Sequence, residues 1–112
     1  MEISKPVLKF AERMQYKLDK NKHKSCTKMN PKGTGRGWED CDIPWLIYKA
    51  KQELKELDGA YADYNFAITL DGYDDKEILR RTNEVLNECA DVANFAMMIF
   101  DNITERSDKG EE

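Results

Sequence analysis

Two pairs of acids spaced three residues apart carry the most specific chemistry in this chain: Glu53 with Glu56, in QELKEL, and Glu88 with Asp91, in NECADVANF. On a helix, residues at i and i+3 lie about 60° apart, so each pair points in one direction. Asp91 stands out, because from Cys89 to Phe100 only it and Asn94 interrupt an apolar run. An ionised carboxylate in such a setting either faces water or has a partner that offsets its lost hydration. If the two helices pack antiparallel, the four carboxylates of Glu53, Glu56, Glu88 and Asp91 can converge on one site. Converging anions repel, and hard cations that prefer oxygen relieve the repulsion. Mg²⁺ is the natural ion, since it keeps several waters and shares its remaining positions with substrate phosphates. The plainer reading of Glu53 and Glu56 is a solvated helix face, with Lys49, Lys51 and Lys55 available as surface partners. Glu88 and Asp91 have little water-facing surface around them and fit that reading poorly.

His23 is the only histidine. Within one chain this excludes H-E-x-x-H zinc chemistry and the paired Glu-x-x-His motifs of ferritin-like di-iron bundles. Cys26, Cys41 and Cys89 are odd in number and show no C-x-x-C spacing, so they read as reduced thiols rather than as a disulfide framework or a zinc site.

The elements that must position the acids are helical. Val7, Leu8, Phe10, Ala11, Met14 and Leu18 recur at helical spacing and predict an amphipathic helix over 4–20. Residues 21–37 combine three glycines, Asn, Ser, Thr and Pro with lysines, the composition of an exposed flexible loop. Asp42 as cap and Pro44 in the first turn start a second helix, expected over about 43–62. The run Ala67–Leu70 is too short to assign, and Asp71-Gly72 signals a turn. Asp74 or Asp75 caps a third helix expected over about 75–104, followed by a frayed tail from about 106 to 112. No β-alternation or βαβ pattern occurs, so the class is all-α and the 112 residues form a single domain. On the third helix Val85, Cys89, Val92, Ala93, Ala96, Phe100 and Ile103 form one stripe, and Phe95, Met98 and Ile99 carry apolar surface around it. One short chain can hardly cover such a helix. A helical bundle completed by homo-oligomerisation is therefore expected, as a homodimer or homotetramer.

No apolar run is long enough to span a bilayer, and the first residues lack the apolar region of a signal peptide, which sets a cytoplasmic expectation. Residues 17–36 carry a net charge of +6 and the remainder −10. The basic segment suits phosphates, with Lys32 and Arg36 as candidates to meet them, and the plainer reading is a solvated basic loop. Its GTGRG glycines are not followed by Gly-Lys-Ser/Thr, so they do not make a P-loop. Without interleaved aromatics or a recognition fold, nucleic acid is not an expected partner.

Trp38, then E-L-K-E at 53–56 and E-C-A-D-V-A-N at 88–94, resemble the MazG-like members of the all-α nucleoside triphosphate pyrophosphohydrolase superfamily. That superfamily is marked by Glu-x-x-Glu on one helix and Glu-x-x-Asp on the next, and the resemblance covers roughly residues 38–103. It implies Mg²⁺-dependent cleavage of the α–β phosphate bond of a nucleoside triphosphate, releasing monophosphate and pyrophosphate, by dimers or dimers of dimers. It also implies that Glu53, Glu56, Glu88 and Asp91 are metal ligands, with one glutamate orienting or deprotonating the attacking water. By the same resemblance Asn94 would meet sugar or base and Trp38 would contact the base; the plainer readings are a satisfied polar group at a helix contact for Asn94 and an anchor of the loop to the core for Trp38. The 31 residues between Glu56 and Glu88 exceed the spacing of compact family members, and the lysine-rich loop has no counterpart in the pattern. Phosphoribosyl-ATP pyrophosphohydrolase shares the superfamily and is an alternative. A non-catalytic helical interaction module, with surface acids and an apolar interface helix, is the alternative from another class.

Overall fold

A computed structural model describes residues 1–21, 37–70 and 72–108. It has three helices, α1 (Lys5–Lys20), α2 (Ile43–Thr69) and α3 (Asp75–Asp108), and no strand among the described residues. The all-α class expected from the periodicity is what the chain adopts. Lys32 and Arg36, and with them nearly all of the basic loop, lie outside the described residues, as does the end of the tail from 109 onward.

Local signals explain where the helices begin. Pro6 sits in the first turn of α1, where a missing amide hydrogen costs nothing. Asp42 caps α2, its Oδ1 accepting from the Trp45 amide at 2.7 Å, and Pro44 occupies the first turn. Asp74 caps α3 in the same way, accepting from the Glu77 amide at 2.8 Å. Between α2 and α3, Gly72 takes φ +104°, a left-handed value that strains any side chain with a Cβ.

Both long helices outrun their expected ends. α2 continues seven residues past 62 because Tyr64 and Ala67 keep the helical spacing of Leu57 and Ala60, and Ala67 is buried at 1% exposure. α3 reaches Asp108, so residues 106–108 are helical where a frayed tail is expected. The α2–α3 turn is clamped at its base by Arg81. Its Nη1 donates to the Asp63 carbonyl at 3.2 Å, its Nε to Glu77 at 2.9 Å, and its guanidinium lies 5.4 Å from the Tyr73 ring, which itself meets Phe66 edge-on.

The arrangement centres on α3. α2 packs along it antiparallel: Asp63 lies beside Arg81, and further along Trp45 meets Phe95 edge-on at 6.5 Å. α1 packs on α3 and not on α2. Arg13 Nη1 donates to Asn87 Oδ1 at 3.0 Å and Lys17 pairs with Asp91, so over this stretch α1 and α3 run the same way. The core these contacts enclose is thin. Among the described residues Leu46 is the only large side chain wholly removed from water, joined by Cys41, Ala67 and Ala90. The apolar stripe expected on α1 is covered only at Met14 and Leu18, leaving Val7, Leu8 and Phe10 exposed. On α3 the buried positions are Ala90, Asn94 and Asn102, whereas Ala96, Phe100 and Ile103 of the expected stripe face outward.

One expectation about the cysteines is corrected. Cys41 is disulfide-bonded, while Cys89 is free. An odd count and the lack of C-x-x-C spacing bear on local motifs and say nothing about which thiols a fold brings together. No helix among the described residues is long and apolar enough to cross a membrane.

Candidate metal centre

The antiparallel pairing sets the register that brings the acids together. Counting inward from the shared turn, Glu53 on α2 falls opposite Glu88 on α3, and Glu56 lies one turn nearer the turn on the same side. One carboxylate oxygen from each of Glu53, Glu56 and Glu88 lies within 4.8 Å of the other two. Glu53 and Glu88 are half-buried and Glu56 is exposed, so the cluster is an open-sided cleft rather than a sealed cavity.

The electrostatics of this cleft are those of anions held together. Burial, then contact with Glu56 and the charges of Glu56, Asp91 and Glu88, push the Glu53 carboxyl up to about 8. Glu88 is also raised, first by burial and then by the charges of Asp91 and Glu56, against smaller lowering effects from Glu53 and Lys17. Without a counter-ion, burial and mutual repulsion favour a proton on Glu53 or Glu88. Oε2 of Glu53 and Oε2 of Glu88 are buried and have no hydrogen-bond partner. Buried acceptors normally find a donor, so two orphans on adjoining glutamates are compatible with an oxygen-preferring cation. The donor set fits Mg²⁺: three carboxylates, no nitrogen or sulfur, and an open side for water and phosphate.

Asp91 is placed differently from its three expected companions. The 60° between Glu88 and Asp91 is enough to divide them between two neighbours, so that Glu88 faces α2 while Asp91 faces α1. Lys17 Nζ lies 3.5 Å from Asp91 Oδ2, both side chains less than a fifth exposed. Asp91 remains close enough for its charge to be felt at Glu53 and Glu88. Lys17 is the residue at this site that sequence reasoning does not single out. Its only signal is a position flanking the Met14–Leu18 stripe, where a lysine stem can lie along the packed face.

The other candidates divide. Asn94 is 4% exposed, its Nδ2 donating to the Met14 carbonyl at 3.1 Å and its Oδ1 buried without a partner. It sits one turn beyond Asp91 and ties α1 to α3. Trp38 lies at the far end of α3: its indole Nε1 donates to Asp101 at 2.9 Å and its carbonyl accepts from Asn102 at 3.0 Å. Asp101 is ten residues beyond Asp91, about 15 Å along the helix axis, so the structure does not bring Trp38 together with the carboxylates. Trp38 here fixes the entry to α2, through the Cys41 amide that also donates to its carbonyl. Comparison of the chain with protein-family models, with curated proteins and with solved structures returns no match.

Proposed function

We propose that the chain is a Mg²⁺-dependent nucleotide pyrophosphohydrolase that converts a nucleoside or deoxynucleoside triphosphate to its monophosphate and pyrophosphate. The observation that carries the reading is the cluster of Glu53, Glu56 and Glu88, with two buried and unpartnered carboxylate oxygens on antiparallel helices. The resemblance of the two acidic motifs to the MazG-like pyrophosphohydrolases gives the reaction class.

Glu53, Glu56 and Glu88 would hold the ion, with Asp91 at their margin. When bound, Mg²⁺ offsets negative charge on the phosphates and acidifies a coordinated water. Glu53 and Glu88, half-buried on facing helices, would supply the inner carboxylates once an ion displaces the proton. Glu56 is the exposed member, able to orient a water and pass its proton to solvent. The α–β phosphate bond then breaks as water attacks, with pyrophosphate as the leaving group.

The working unit in this reading is a homo-oligomer. Phe100 and Ile103 on α3, Leu54 and Tyr61 on α2, and Leu8 and Phe10 on α1 are all more than two-fifths exposed, while Leu46 is the one large side chain wholly buried among the described residues. A second copy would give these faces cover.

Incubation with a panel of nucleoside and deoxynucleoside triphosphates and phosphoribosyl-ATP, with Mg²⁺ and detection of pyrophosphate, tests the reaction. Release from one or more triphosphates is expected. Release from phosphoribosyl-ATP alone would move the assignment to that alternative, and no release from any would favour a non-catalytic interaction module.

A further inference from the structure

Lys17 has a place in the acidic cluster that the metal reading alone does not explain. Its side chain is 13% exposed and that of Asp91 18%, so their attraction is poorly screened by water. Yet the pair is separated by 3.5 Å, well beyond the roughly 2.8 Å of a charge-assisted hydrogen bond. It is held by charge rather than by directional bonding. Lys17 also acts on Glu88, lowering its proton affinity, so its charge is felt in the cluster at Glu88.

α1 itself is loosely seated. It buries no residue completely, and only Arg13, Met14, Lys17 and Leu18 are even half-covered. Its named bonds to α3 are polar: Arg13 to Asn87, the Met14 carbonyl to Asn94, and Lys17 to Asp91. A lysine on a flexible four-carbon stem can leave Asp91 without opening a packed core.

We propose that Lys17 stands in for a divalent cation at Asp91 in the metal-free protein. Binding of the cation transfers Asp91 to the metal cluster and frees the Lys17 ammonium to meet a phosphate oxygen of the nucleotide. Without ligand, the Lys17 ammonium offsets charge on Asp91; with the cation present, the metal takes over that part and the ammonium turns to the newly arrived phosphates. The phosphate half rests on the nucleotide reading above, whereas the exchange at Asp91 rests only on the cluster and its lysine.

The test uses the full chain and two probes: Mn²⁺ alone, and an α,β-methylene deoxynucleoside triphosphate in the presence of Mg²⁺, each by titration calorimetry. Lys17→Met removes the charge and keeps most of the stem. Removing a competing charge this close is expected to tighten Mn²⁺ binding about fivefold, and to weaken binding of the triphosphate analogue about tenfold. A residue that merely straps α1 to α3 would weaken both together and lower Tm. Lys17→Arg retains the charge and grips a carboxylate more firmly, so it should fold and bind Mn²⁺ about threefold more weakly than wild type. Opposite responses of the two ligands to Lys17→Met support the exchange. Unchanged or weaker Mn²⁺ binding by Lys17→Met, or Mn²⁺ binding by Lys17→Arg as tight as wild type, overturns it. A wild type that binds no analogue overturns the nucleotide reading instead, and the Mn²⁺ titrations still decide the exchange.

Discussion

Glu53 and Glu88 meet across the α2–α3 contact, each with a buried Oε2 that no hydrogen bond satisfies. Two such acids on facing helices oppose the packing that brings them together, unless a proton or a cation is bound between them. The stability of the fold is therefore linked to what occupies this cleft.

The first consequence is a pH dependence. The Glu53 carboxyl rises from 4.5 to about 8 on folding, so between these values the folded chain keeps a proton that the unfolded chain has lost. Its contribution to stability is fully present below about pH 4.5 and is lost as pH climbs towards 8. The Tm of metal-free protein should fall over this window, with Glu88 acting in the same direction. Saturating Mg²⁺ should flatten the fall, and so should Glu53→Gln. Differential scanning calorimetry across the window, with and without the ion, reads both effects. A Tm that rises steadily with pH in metal-free protein would be inconsistent with a shared proton.

Leu46 carries an unusual share of the core, being the only large side chain at 0% exposure among the described residues. Leu46→Ala should cost about 2–5 kcal/mol, through lost transfer free energy and the cavity left behind. In a core this thin the loss should leave the chain substantially unfolded at 37 °C. Urea denaturation followed by circular dichroism measures it; a loss under about 1 kcal/mol would show that the site collapses without penalty.

Much of the fold was legible from patterns that act locally. The Asp42 cap with Pro44, the Asp74 cap and the turn at Gly72 set element starts, and helical spacing from Val7 to Leu18 marked α1. The end of α2 was not legible, because burial of Ala67 extends the helix whereas Asn65 and Thr69 weaken the local helical signal. The two acidic pairs could be read because i,i+3 spacing is a property of one helix. How they divide in space depends on register between helices, which is why Glu88 could be joined to Glu53 and Glu56 while the Asp91–Lys17 pair went unnoticed. The docking of Trp38 on Asp101 is a long-range relationship of the same kind, with no local signature.

Phe100, at 71% exposure on α3, is the most exposed large apolar residue of the helices and tests the assembly. Sedimentation velocity of the wild type should show a dimer or tetramer. Phe100→Glu should shift the population towards monomer, because a charge in an apolar interface must be desolvated without a partner. A wild-type chain that sediments as a monomer at high concentration would leave the exposed faces without the cover assigned to them.

The cation site is tested most directly by titrating Mn²⁺ into metal-free protein at pH 8, comparing wild type with Glu53→Gln and Glu88→Gln. Saturable binding by wild type is expected, weakened at least about tenfold in either variant, with folding retained because each substitution removes a charge from a repelling cluster. Equal Mn²⁺ binding by all three proteins, or none by wild type, would contradict a metal centre built from these glutamates.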